Sequence, residues 1–129
     1  MLGLRLLSQR FSSRVHAIPV DPSRFESESV AVLETVLEAI ETSSADSVNN
    51  LNEGVLKVEF DDCTFILNKH AVTQQIWYSS PVIGPAYFDA LTSTGQRWWS
   101  LKLDVDLFTQ FKKDVSKVTK GSIDLQLPT

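Results

Sequence analysis

Two groups of residues in this chain could do chemistry. The first is Glu34, Glu38 and Glu41, which recur at i, i+4 and i+7. On a helix they form one stripe. Like charges at that spacing destabilise a helix by about 0.2–0.5 kcal/mol per pair. A polar face serving solubility alone would intersperse lysines, yet residues 25–56 contain neither Lys nor Arg. Such a stripe offers hard oxygen ligands to weakly held divalent cations, ferrous iron, manganese, calcium or magnesium alike. It also suits electrostatic docking to a basic protein, or a purely solvated face. The second group centres on Trp77, which shares the polar parity of a strand with Gln75 and Ser79, near Asn68 and Lys69. An indole so placed is a candidate interface hot spot; the alternative is a ring packed under a loop.

Other chemistries lack their residues. No glycine-rich phosphate loop and no His-Glu-x-x-His pair is present. Cys63 is the single cysteine, which rules out paired-cysteine redox and zinc motifs. His16 and His70 are the two histidines. A Cys63–His70 nucleophile pair is open on paper, but no flanking residue would tune it. Ser79 and Ser80 lack the strand–elbow–helix setting of a serine hydrolase. No conventional active site is legible.

Charge divides the chain sharply. Residues 1–20 carry +3, residues 21–62 carry −9 and residues 63–129 carry +2, for a net −4. The negative surface attracts cations and basic partners and disfavours nucleic acid. No apolar run approaches the roughly 20 residues a membrane helix needs. The start, Met1 to Val15, spaces Arg5, Arg10 and Arg14 through leucine and serine without an acid, the composition of a mitochondrial transit peptide. Residues 1–18 are assigned to it, with Ser12–Val15 as the cleavage region, and residues 19–129 to one domain.

The elements that must position these groups follow from periodicity. Asp21 or Ser23 caps a helix running to about Thr42, with Phe25, Val32, Leu33, Val36, Leu37 and Ile40 on one face. Ser43-Ser44-Ala45 and Asn49-Asn50 break it. The period then becomes two. Strands are expected at Val55–Phe60, Cys63–Leu67 and Val72–Tyr78, with short ones at Ala86–Ala90 and Gln96–Ser100. Asp104 or Asp106 opens a second helix to about Thr119, and Gly121 stops it as the C′ residue. Two helices on one face of an antiparallel sheet of about five to six strands make an α+β two-layer sandwich. The uncovered face would carry Gln75 and Trp77.

The run Asn68-Lys69, then Gln75-Ile76-Trp77-Tyr78-Ser79-Ser80-Pro81 and Gly84-Pro85 closely resembles the frataxin family, over about 95 residues from the acidic helix to the second helix. The resemblance implies a mitochondrial matrix protein that binds ferrous iron weakly and promotes iron–sulfur cluster assembly. Its partners would be cysteine desulfurase and the scaffold protein, and it would donate iron or activate sulfur transfer. It implies metal contacts at Glu28, Glu34, Glu38, Glu41 and Asp46, and partner contacts at Asn68, Lys69, Gln75 and Trp77. A monomer is expected, with iron-driven oligomers and ferroxidase activity credited to some members. The chain departs from the family in three respects: Val30 and Ala31 stand where many members have acids, so do Asn49 and Asn50, and Tyr87 stands where many have Arg. Tyr87 cannot make the Arg contact, so its part in docking must differ.

Overall fold

A computed structural model describes residues 14–128. The transit-peptide reading therefore falls, up to residue 13, outside the described residues. Helix α1 spans Pro22–Thr42. Its N-cap is Asp21, whose carboxylate accepts from the Ser23 amide at 2.9 Å, with Pro22 in the first turn. These bonds from the Ser23 hydroxyl and amide, then from the Arg24 amide, hold the Asp21 carboxyl below its ordinary pKa. Phe25, Ser29, Val32, Leu33, Val36, Ala39 and Ile40 are buried along one face.

Seven antiparallel strands follow as a meander in sequential order. They are β1 (Val48–Asn52), β2 (Val55–Glu59), β3 (Thr64–His70), β4 (Gln75–Ser80), β5 (Gly84–Leu91), β6 (Arg97–Ser100) and β7 (Val105–Asp106). Helix α2 (Leu107–Val118) is capped by Asp106, which accepts from the Thr109 amide. Both helices contribute to one core on one face of the sheet, through Leu33, Val36, Phe111 and Val115 against Leu56, Phe65, Ile76 and Phe88. Phe65 meets Phe111 edge-on with centroids 5.3 Å apart. Ile123 and Leu125 of the tail join that core. The α+β two-layer reading holds.

The strand count is seven, against the five to six expected, and the extra strands have physical causes. Val48-Asn49-Asn50-Leu51-Asn52 has poor strand propensity, yet it pairs along its whole length with β2. The two are joined by Glu53 and Gly54, both at positive φ (50° and 78°), the geometry of a tight hairpin turn. Asn49 and Asn50 thus belong to a strand, and Ser43 ends the helix. A Cβ on Gly54 would lie 2.5 Å from Lys69 Cε, so glycine serves both the turn and the packing of that stem. Strand β7 is two residues long and has no periodicity to read.

Two boundaries also move. Val72 does not begin a strand; it is 91% exposed in the turn between β3 and β4. At the end of α2, Lys120 (φ 54°) takes the C′ place assigned to Gly121. The Lys120 amide donates to Lys117 O, and the Gly121 amide to Ser116 O, 2.8 Å away.

Ordered backbone reaches back to His16. Ala17 bridges to Thr92, the Ile18 amide donates to Leu91 O, and the Ser93 amide donates to His16 O. The Gln74 side chain accepts from the Val20 amide and donates to Val20 O, at 2.9 and 2.8 Å.

Candidate docking face and carboxylate ridge

Strand pairing fixes which side chains share the uncovered face. Asn68 lies opposite Trp77, His70 opposite Gln75, Trp77 opposite Tyr87 and Gln75 opposite Asp89. Their neighbours Leu67, Ile76, Tyr78 and Phe88 point into the core. Trp77 stands at the centre of the group with 37% of its surface exposed, and Tyr87 with 51%. The indole N–H donates to Gln75 Oε1 at 2.9 Å, and Gln75 Nε2 donates to the buried Asp89 carboxylate at 2.9 Å. The His70 ring lies parallel to the indole, with centroids 3.9 Å apart and planes at 7°. Tyr87 meets it edge-on at 5.4 Å. Beside Tyr87 a cleft of about 490 Å³ is bordered by Ile83, Pro85, Leu101 and Leu103 together with the polar Asp89 and Lys102.

Lys69 separates from this group. It has the opposite parity, pairs across the strands with Ile76, and its ammonium is ion-paired with Glu26 on α1. Asn68, Gln75, Trp77 and Tyr87 are therefore brought together, while Lys69 ties the sheet to the helix.

The carboxylates divide similarly. Glu34, Glu38 and Glu41 are exposed on α1. Among the described residues no Lys, Arg or His pairs with them. Glu28 is different: Arg24 one turn earlier and Arg97 from β6 both pair with it. Burial lowers the Arg97 guanidinium pKa, and the nearby positive charge of Arg24 adds to that. Asp46 lies beyond the helix, at an open cleft of about 460 Å³ that Glu59, Asp61, Asp62 and Cys63 also line. No three His, Cys, Asp or Glu side chains among the described residues converge as a metal cage. Successive carboxylates one turn apart along α1 offer separate ligands about 5–6 Å apart, which fits a solvated, weakly held ion.

The Cys63–His70 pairing does not form. Cys63 precedes β3 and His70 ends it, a separation of roughly 20 Å for a strand of that length. His70 is instead the residue that sequence reasoning missed. Its stacking on Trp77 depends on the β3–β4 register, which places it diagonal to the indole. The loop length between His70 and Gln75 was the available signal. A second unread feature is the fully buried Asp114 of α2, which accepts from Tyr78 Oη at 2.7 Å, Ser80 Oγ at 2.9 Å and Gln110 Nε2 at 2.9 Å. Burial first, and the bond to Asp114 second, raise the Tyr78 phenol far above its ordinary pKa.

The structure is thus a small two-layer domain with an aromatic group on its bare sheet and, on its first helix, carboxylates that no cation among the described residues pairs. A family model described as a frataxin-like domain matches residues 18–121. The chain belongs to that family. It is 36% identical over 97 residues to the "Frataxin-like protein, mitochondrial" of Leishmania donovani. That match covers 70% of this chain and 51% of the relative, so the chain spans about half the length of the curated relative. Its fold is similar to that of frataxin from Psychromonas ingrahamii, with a TM-score of 0.70 and 22% identity over 81% of this chain and 97% of that one.

Proposed function

We propose that this protein acts in the mitochondrial matrix and promotes iron–sulfur cluster assembly. It docks its open sheet face on the complex of cysteine desulfurase and scaffold protein. The observation that carries the reading is Trp77, held by Gln75 and His70 and partly exposed at the centre of an uncovered sheet. Family membership supports the iron–sulfur context, and the name of the Leishmania relative supports the compartment. Asn68, Gln75 and Tyr87 flank the indole as partner contacts. Lys69 contributes through its ion pair with Glu26, which links β3 to the first helix beside the docking face.

Ferrous iron is the cargo in this reading, held weakly at Glu34, Glu38 and Glu41, with Asp46 at the adjoining cleft. Glu28 contributes less, because two arginines already compensate its charge. Docking shifts the complex toward a state competent for sulfur transfer, with no bond made or broken by this chain. Separated carboxylates favour this over ferroxidase chemistry, which calls for a defined ligand cage.

The test is a pull-down on purified desulfurase–scaffold complex. Trp77→Ala should lose capture and stimulation of sulfur transfer, with iron-induced NMR broadening around Glu34–Glu41 retained. The triple change Glu34→Gln, Glu38→Gln, Glu41→Gln should lose the broadening. Wild-type capture and stimulation by Trp77→Ala would reject the reading.

A further inference from the structure

We propose that His70 is a positioning residue for Trp77, its imidazole holding the indole in the partly exposed pose that meets the partner. This rests on the docking reading above and deepens it. The indole is constrained on three sides. The His70 ring covers one face from β3, at 3.9 Å and 7°. Tyr87 abuts it from β5 on the other side. Gln75 takes its N–H and is itself anchored on Asp89. His70 is in turn fixed by a 2.9 Å hydrogen bond between Nδ1 and Thr73 Oγ1 in the turn that follows β3.

The His70–Trp77 stack lies outside the hydrophobic core. Ile76 and Tyr78, the neighbours of Trp77 on β4, supply that strand's core contacts from the opposite face. What a clamp on an exposed ring changes is the conformational entropy lost on association: an indole already held in one rotamer has less freedom to lose. It also explains how Tyr87 serves where an arginine would have reached toward a partner: it closes the clamp.

The experiment compares wild type, His70→Ala, His70→Phe and Trp77→Ala. It follows the Trp77 indole Nε1–H resonance in the free protein, and affinity for purified desulfurase–scaffold complex by calorimetry. His70→Ala should shift and broaden the resonance and weaken affinity about three- to tenfold, with the thermal midpoint nearly unchanged. His70→Phe, which restores a flat ring, should recover both. An unmoved resonance in His70→Ala, or affinity within twofold of wild type while Trp77→Ala abolishes binding, overturns the assignment and leaves docking intact. Wild-type affinity in Trp77→Ala overturns the docking reading and the positioning role with it.

Discussion

Asp114→Ala removes the acceptor for three donors in a fully buried site. All three donors are buried: Tyr78 at 2% exposed, Ser80 at 5% and Gln110 at 8%. Gln110 is the least enclosed, so the cost falls on the Tyr78 and Ser80 hydroxyls. Ser80 Oγ also accepts from the Val82 amide at 3.0 Å, so displacing it disturbs the β4–β5 turn as well. Two orphaned buried donors cost about 1–3 kcal/mol each, which puts the loss near 4 kcal/mol. A domain of about 110 residues unfolds with roughly 0.23 kcal/mol/K of entropy, so the midpoint should fall about 17 °C. Urea unfolding should show a lower midpoint at unchanged slope. Asp114→Asn keeps one acceptor oxygen and should lose about half as much. A change below about 1 kcal/mol in Asp114→Ala would refute the reasoning that the Tyr78 and Ser80 hydroxyls depend on this carboxylate.

Three further outcomes are expected. A chain beginning at Asp21 should melt about 4 °C below one beginning at Arg14, because the lost bonds to Leu91, Ser93 and Gln74 exceed the ordering entropy regained by on the order of 1 kcal/mol; differential scanning calorimetry checks it. Gly54→Ala should lose about 1–2 kcal/mol in urea unfolding, since an L-residue at that φ is strained and its Cβ would strike the Lys69 stem. The Asp21 carboxyl has a folded pKa below its unfolded value. Its contribution is therefore present above the unfolded pKa of 3.8 and is lost as pH falls through the folded pKa. Thermal midpoints of Asp21→Asn should lie below wild type at neutral pH and converge with it in acid.

The elements with strong periodicity could be read from the residues alone. Five of the seven buried positions of α1, Phe25, Val32, Leu33, Val36 and Ile40, follow from its apolar spacing, whereas Leu37 is only partly buried and Ser29 and Ala39 are small residues that spacing of large apolar groups does not mark. The alternation of Ile76, Trp77 and Tyr78 put the indole on the bare face. Strand β1 was illegible because its propensity is poor and its pairing with β2 decides it. The site was half legible for a related reason. Glu34, Glu38 and Glu41 share a face through local geometry, and their exposure follows from the same helix. The compensation of Glu28 by Arg97 joins residues 69 positions apart, and the placement of His70 on Trp77 needs the strand register. Neither contact exists at the level of a helix turn or a strand's parity.

The short stretch from His16 to Val20 has a consequence for how the molecule comes into being. Its amide at His16 waits for Ser93, 77 residues further along. A chain threaded N-terminus first must carry this stretch unsatisfied until the fifth strand and the turn after it have emerged. At about 5–20 residues per second that interval lasts several seconds. Throughout it, this stretch is open to proteases and chaperones, and it closes against the sheet only once the turn after the fifth strand is present.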